Sequence, residues 1–160
     1  ANLNDLGGFL VSKLEKKKAV IQAGIRYDTR QIQTTGDLAI VDNWYQSLNG
    51  SVGTTYNWTD HFLSRLNAAT GYRSPNLAEL TSYGVHHGTN RFEVGSRQLN
   101  SEQNIELDVS SHLHTKHATV DVAGFYNHIN NFIYISPTQD SLEGFLENRF
   151  LSKVSTWSWN

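Results

Sequence analysis

Histidines are the most versatile chemical groups in this sequence, which has seven of them and no cysteine. His86 and His87 are adjacent and lie between two glycines. Neutral imidazole ligates iron, copper or zinc, so this pair could contact a metal-bearing ligand directly. Tyr83 and Arg91 are close by in the sequence and complete a candidate ligand-contacting set. The alternative, which we favour for the pair, is that both imidazoles stabilise the loop that carries them.

A second group of histidines, His112, His114 and His117, lies at the end of a strictly alternating segment. In a strand, His112 and His114 would share one face, so a zinc site is geometrically possible. We favour solvated polar residues instead, and we predict no metal site and no cofactor. Ser, His and Asp occur at no spacing that is informative for a nucleophile and its base, so we predict no enzyme.

Segments that alternate between polar and apolar residues predict β-strands. The clearest spans residues 104–115, where Ile105, Leu107 and Val109 alternate with polar neighbours. Alternating patterns predict further strands at 19–28, 48–58, 62–73 and 119–127, and the poorly alternating segments 6–14 and 142–154 bring the total to six or seven. Short turns at 15–18, 59–60 and 115–116 alternate with long connections at 29–46, 74–103 and 128–141. This spacing predicts an antiparallel up-and-down meander whose long connections share one end.

The connection at residues 74–103 is the longest, and its pattern is too irregular for a helix or a strand. Long loops inside compact domains are uncommon and usually functional. This one carries the His86–His87 pair together with Tyr83, Glu79 and Arg91. We therefore predict that the strands support this loop and present it to a ligand.

Charge and hydropathy exclude several classes of protein. The net charge of −2 and the charged fraction of 18% give no reason to expect a nucleic-acid partner. No apolar run approaches the ~18 residues that a membrane-spanning helix needs. A membrane-spanning strand needs only about 9–11 residues of alternating polarity, and several predicted strands provide them.

The polar faces of the predicted strands carry Arg65, Arg73, Glu106 and Asp108, which is too much charge for the core of a small sandwich. A wide, water-filled barrel interior accommodates such residues. The apolar faces end in aromatic residues, as in the interfacial girdles of outer-membrane barrels: Tyr27, Trp58, Tyr72 and Tyr126. Two alternatives stay open, a small soluble β-sandwich or lipocalin-like ligand-binding module, and a passive porin.

Four motifs around the long loop resemble the barrel of TonB-dependent outer-membrane receptors. They are Gly-Tyr-Arg-Ser-Pro-Asn-Leu-Ala-Glu-Leu (71–80), Gly-Val-His-His-Gly-Thr (84–89), Arg-Phe-Glu-Val-Gly (91–95) and Leu-Asn-Ser-Glu (99–102). Gly-Ile-Arg-Tyr-Asp (24–28) is similar to an earlier strand motif of the same family. The resemblance covers residues 6–138 and weakens after Thr138.

The resemblance implies an all-β fold, an antiparallel up-and-down meander that is a segment of a transmembrane barrel of about 22 strands. Residues 1–160 would form a partial barrel, with residues 74–103 as a long extracellular loop. The implied function is TonB-energised uptake of a scarce ligand, a ferric siderophore or haem, by an integral protein of the bacterial outer membrane. The implied partners are this iron chelate or haem, outer-membrane lipid, and the TonB complex through a plug domain outside this sequence.

The resemblance also bears on individual residues. In haem receptors of the family, a histidine between an Arg-Pro-containing box and a later Leu-containing box contacts haem, and His86 and His87 occupy that interval. Similar histidine patterns occur in receptors for other ligands, which favours a structural role for the pair. Arg73, Glu79 and Arg65 are candidates for contact with the plug or for ordering of the loop, and ordinary charges of the barrel interior are the equal alternative.

Overall fold

The computed structural model describes residues 1–34, 40–86, 91–142 and 145–155. These residues form nine strands and one short helix. In chain order they are β1 (Asn2–Glu15), β2 (Ala19–Thr34), β3 (Val41–Thr59), β4 (Phe62–Arg73), α1 (Leu77–Thr81), β5 (Tyr83–His86), β6 (Arg91–Val94), β7 (Glu102–His114), β8 (Thr119–Leu142) and β9 (Phe145–Ser155). Among the helices of these residues, none has the length and apolar character needed to span a membrane.

All nine strands belong to one sheet, in the order β1-β2-β3-β4-β7-β8-β9-β6-β5. The long strands pair with antiparallel neighbours, whereas β6 pairs in parallel with β9. The prediction of an all-β, antiparallel meander is therefore confirmed. The number of strands exceeds the predicted six or seven because the short hairpin β5–β6 lies inside the connection at 74–103.

One face of the sheet is apolar and exposed. The register places Ala23, Val52, Ala68, Leu107 and Tyr126 side by side across five strands, and paired residues share a face. Val52, Leu107 and Tyr126 remain 52%, 45% and 45% exposed. We call this side of the sheet the apolar face and the opposite side the polar face.

The polarity of the two faces changes along β2 and β3. Ile25 and Leu48 lie on the apolar face and are exposed. Further from the short turns, Ile32 and Tyr45 lie on the opposite face and are buried. They belong to a hydrophobic cluster that also contains Val41, Leu80, Leu99 and Ile133. The buried core of the described residues therefore lies at the end of the sheet that carries the long connections.

The predicted short turns are confirmed, because β1–β2, β3–β4 and β7–β8 are joined by only two to four residues. Two predicted long connections are wrong. Most of 29–46 belongs to β2 and β3, and most of 128–141 belongs to β8. Polar residues such as Asn43 suggested a loop, but Asn43 is a strand residue because its backbone pairs with Ile32 across β2–β3. The connection at 74–103 also contains a helix and two strands, contrary to the irregular loop predicted.

Candidate functional site

Helix α1 begins at a complete N-terminal cap. The Asn76 side-chain oxygen accepts the backbone N–H of Glu79 at 2.8 Å, and the Glu79 carboxylate accepts the backbone N–H of Asn76 at 2.8 Å. This reciprocal capping box satisfies N–H groups that the start of a helix leaves without a partner. Pro75, directly before the cap, is fully buried. The segment 75–79 therefore fixes the position at which the chain leaves β4 and turns into α1.

Arg73, the last residue of β4, joins this helix to β7. Its Nη1 donates to the two carboxylate oxygens of Glu79 at 3.0 and 3.1 Å. Its Nε and Nη2 donate to the carboxylate of Glu102 at 2.7 and 2.8 Å. The second contact is bidentate, the geometry in which guanidinium and carboxylate bind most strongly. We call Arg73, Glu79 and Glu102 the clasp.

Hydrogen bonding favours the ionised forms of Arg73 and Glu102. The hydrogen bonds from Arg73 hold the pKa of Glu102 below its ordinary value, and the bonds to Glu102 raise the pKa of Arg73. The Glu102 and Glu79 side chains are only 13% and 10% exposed, so water screens them little. A carboxylate shielded in this way needs its cation, because an unpaired buried charge is costly.

The clasp extends to β8 through Glu102. Its Oε1 accepts the backbone N–H of Ile133 at 2.7 Å. Ile133 lies two residues after Asn131, whose φ angle is 55°. The register of the β8–β9 pairing shifts between Ile129 and Phe132. A bulge of this kind interrupts the ladder of backbone hydrogen bonds. The carboxylate of Glu102 therefore provides an acceptor beside the irregularity in β8.

The other end of α1 is closed by the chain that follows β6. The N–H of Gly95 donates to the Ser82 carbonyl at 2.6 Å, and the N–H of Ser96 donates to the Glu79 carbonyl at 2.8 Å. A Cβ atom at Gly95 would lie 2.7 Å from the backbones of Leu80, Thr81 and Ser82. Glycine is therefore needed where the two backbones meet.

The hydrophobic side of α1 faces the cluster described above. Leu80 is 1% exposed and packs with Ile32 of β2, Tyr45 of β3 and Ile133 of β8. The Tyr45 hydroxyl donates to the Leu99 carbonyl at 3.3 Å, and burial raises the pKa of this phenol. Leu80 and Leu99 of the long connection are thus packed against β2 and β3, which precede it in the sequence, and against β8, which follows it.

The hairpin β5–β6 carries most of the predicted ligand-contacting residues. Tyr83 is 64% exposed, and its ring meets the ring of buried Phe92 edge-on at a centroid distance of 5.2 Å. His86 and Arg91 are paired at the other end of the hairpin, where Arg91 is exposed. The predicted residue His87 lies outside the described residues. Phe92, Glu93 and Val94 pair in parallel with β9, so the hairpin is attached to the sheet.

A cleft of about 460 Å³ lies between α1 and this hairpin. Its size falls within the range of small-molecule sites in proteins. The cleft combines apolar, hydroxyl and cationic groups and is lined by Leu80, Thr81, Ser82, Tyr83, Val94, Gly95 and Arg97. Such a lining can hold a ligand with both aromatic and anionic parts.

The structure brings together some predicted residues and separates others. Arg73 contacts Glu79, whereas Arg65 lies eight residues earlier on β4, opposite Ser110. The role of Glu102 was missed, although it stands in the Leu-Asn-Ser-Glu motif and pairs with Arg73 across β4–β7. Strand pairing, rather than sequence spacing, was the signal that could have found it. Tyr72, expected among exposed aromatic residues, is partly buried against the hydrophobic cluster instead.

The histidines near the β7–β8 turn have polar side-chain partners. His112 contacts Asp121 and Ser110, and His114 contacts Thr119. In the part of the chain that the structure describes, no group of three or more His, Cys, Asp or Glu side chains could hold a metal ion.

A single, mostly antiparallel sheet with an exposed apolar face is typical of the strands of outer-membrane β-barrels. The chain belongs to the TonB-dependent receptor family, because residues 4–157 match the family described as TonB dependent receptor-like, beta-barrel. The match extends beyond residue 138, where the recognisable motifs end. Members of this family are integral outer-membrane receptors.

Two solved structures share this fold. The Serratia marcescens hemophore receptor HasR, solved as a double mutant in complex with its hemophore HasA and heme, has 12% sequence identity and a TM-score of 0.79. The siderophore receptor PirA from Pseudomonas aeruginosa has 12% identity and a TM-score of 0.61. The alignments cover 96% and 95% of this chain but only 30% and 37% of those receptors. The chain therefore spans about a third of the length of either.

Proposed function

We propose that this chain is part of an active-transport receptor that takes up a scarce iron-bearing ligand, a ferric siderophore or haem, with energy from TonB. The observation that carries the proposal is the folding of the connection at 74–103 into a helix and a hairpin. The clasp and the β6–β9 pairing attach these elements to the sheet. A receptor needs such a preformed recognition surface, because ordering a loop on binding reduces affinity.

The proposal assigns a separate environment to each part of the sheet. The apolar face contacts outer-membrane lipid between the short turns and Ile105, where its large side chains are exposed. The polar face lines the interior of the barrel. The clasp, α1 and β5–β6 lie beyond this span, on the extracellular side. In this arrangement residues 74–103 are an extracellular loop, as the resemblance implies.

The alternatives explain the structure less well. A soluble sandwich needs a second sheet to cover the apolar face, whereas all strands of the described residues form one sheet. A passive porin shares the sheet but has no need for an ion-paired helix and hairpin at its mouth. The heme and siderophore receptors with this fold support an iron-bearing ligand.

We place ligand contact on the β5–β6 hairpin and on the cleft beside it. Tyr83 offers an exposed aromatic face and Arg91 an exposed cation. His86 and His87 are the imidazole-bearing residues of the same segment of the sequence. Arg73 and Glu79 act through the clasp to hold α1 against the strands. Contact of Arg73, Glu79 or Arg65 with a plug domain is a second role that remains a prediction.

The test is ligand binding by the full-length protein that carries this segment, purified in detergent. Heme and a panel of ferric siderophores are titrated, and absorbance and tryptophan quenching are followed. We expect tight binding of one class, weakened by Tyr83→Ala and Arg91→Ala. Heme binding lost in His86→Ala/His87→Ala would assign the pair as ligands, and siderophore binding that survives would assign it a structural role. Binding of neither class would refute the iron-bearing ligand.

A further inference from the structure

Three side chains form a continuous hydrogen-bond chain on the polar face, close to the β7–β8 turn. Ser110 Oγ lies 3.0 Å from His112 Nε2, and His112 Nδ1 lies 2.8 Å from Asp121 Oδ1. The carboxylate can only accept at this contact, so Nδ1 carries the proton. In the neutral imidazole Nε2 is then the acceptor, and the Ser110 hydroxyl donates to it. The order of the groups is that of a nucleophile, its base and the residue that orients the base.

The register of the sheet holds these groups in place. Ser110 and His112 are two residues apart on β7, and Asp121 is the direct partner of His112 on β8. Sequence spacing could not show this arrangement, because Asp121 approaches His112 only through the pairing of the strands. The neighbouring Ser111 points to the opposite face, where its hydroxyl is 3.1 Å from that of Ser64. The sheet therefore offers a serine beside a base and a matched serine without one.

A cation lies across from the nucleophile. Arg65 on β4 is the direct partner of Ser110 and is exposed on the same face. No hydrogen bond or ion pair of Arg65 occurs among the described residues. A guanidinium placed there can stabilise negative charge that develops on a carbonyl or phosphoryl oxygen. Other titratable groups on this face near His112 are Asp108 and His114.

We propose that Ser110 is a reactive serine that accepts an activated acyl or phosphoryl group from an ester-type ligand within the barrel. Its hydroxyl proton passes to His112 Nε2 while Oγ forms a bond to the carbonyl carbon or to phosphorus. The bond to the leaving group breaks, and the leaving group departs with the electron pair and the proton from His112. Asp121 is a positioning residue. The product is a stoichiometric adduct on Ser110, and this step is independent of ligand transport.

The first test treats the full-length protein in detergent micelles with a small fluorophosphonate and locates the adduct by mass spectrometry. We expect one adduct, on Ser110, which Ser110→Ala abolishes and Ser111→Ala leaves unchanged. His112→Gln should slow labelling by about 10²-fold, the low end of the effect of a positioned base. Asp121→Asn should slow it less. Labelling of Ser110 that is indifferent to His112→Gln would overturn the proposal, since the hydroxyl would then be an ordinary one.

A second test does not depend on access of a phosphonate to the barrel interior. In Ser110→Cys the thiol would lie beside His112, and a neighbouring imidazolium lowers the pKa of a thiol. Alkylation by iodoacetamide is measured against pH, with Ser110→Cys/His112→Gln as the matched control. We expect the midpoint of the single variant to lie at least about one pH unit lower. Equal midpoints, or no adduct on Ser110 in the first test, would show a merely structural hydrogen-bond chain.

Discussion

Glu102 of β7 accepts the backbone N–H of Ile133 of β8 at 2.7 Å with the same oxygen that receives a hydrogen bond from Arg73. The Glu102 carboxylate thus accepts hydrogen bonds from the backbone beside the irregularity in β8 and from the guanidinium at the end of β4. Arg73 in turn holds Glu79 and the start of α1. The position of α1 is therefore coupled to the course of β8 through the side chains of Arg73 and Glu102.

Removing the cation should loosen this coupling. Arg73→Met leaves two shielded carboxylates without their cation, and we expect the protection of α1 against hydrogen exchange to fall by about 1–3 kcal/mol. Ligand affinity of the full-length protein should fall with it. Arg26→Met is the matched control, because it breaks an exposed ion pair within one strand, with Asp28. Ligand uptake that is untouched by Arg73→Glu would contradict a functional role for the clasp.

The clasp should also depend on pH in one direction. Because the pKa of Glu102 is lowered in the folded protein, its stabilising contribution is complete above the ordinary carboxyl pKa. It is lost as the pH falls through the lowered value. Hydrogen exchange of the Ile133 amide, corrected for intrinsic rates, should be constant from pH 7 to about pH 5 and rise below. In Arg73→Met the rise should be smaller, because the pKa of Glu102 in the folded protein is no longer held as far below its ordinary value. An identical pH profile in the two proteins would refute Arg73 as the cause.

The capping box predicts a graded effect at Asn76. Asn76→Ala removes the acceptor for the Glu79 N–H and should destabilise α1 by about 1 kcal/mol, whereas Asn76→Ser keeps an acceptor and should cost little. Protection of the amides of α1 in the full-length protein is the appropriate measurement. Equal losses in the two variants would show that packing of Leu80 alone positions the helix.

The apolar face predicts where a charge is not tolerated. Val109 is 52% exposed on this face, and Val109→Arg should destabilise the folded barrel in lipid by about 2–4 kcal/mol. Asn127→Arg is the control, because Asn127 lies on the polar face opposite Glu106. Urea titrations in liposomes compare the two. Similar stabilities would mean that the apolar face does not contact lipid.

The sequence predicted the strands wherever one environment persists along them. Val52 and Leu107 alternate with polar residues because one face is apolar for their whole neighbourhood. After Tyr27 the pattern reverses, because Ile32 is buried on the face that carries polar residues in the part of β2 nearer the β1–β2 turn. A period-two pattern that changes face along a strand no longer stands out as an alternation. For this reason the sequence predicts a connection where β2 ends and β3 begins.

The candidate site was predictable in its residue types and less so in its partners. Tyr83 and Arg91 were predicted from their place in the long connection, and they lie on one hairpin. The contact of Glu102 with Arg73 depends on the pairing of β4 with β7, which the spacing of residues in the sequence does not reveal. The helix α1 was missed because its five residues are too few to display a helical period.

The parallel ladder between β6 and β9 has a consequence for the order of folding. Phe92 and its partner Glu147 are far apart in the sequence, so closing this contact costs more chain entropy than closing any adjacent hairpin. The hairpin of the long connection cannot dock until β8 and β9 have joined the sheet. Docking of the hairpin is thus expected to be a late event in the folding of this segment, because it depends on β9, which follows the hairpin after β7 and β8.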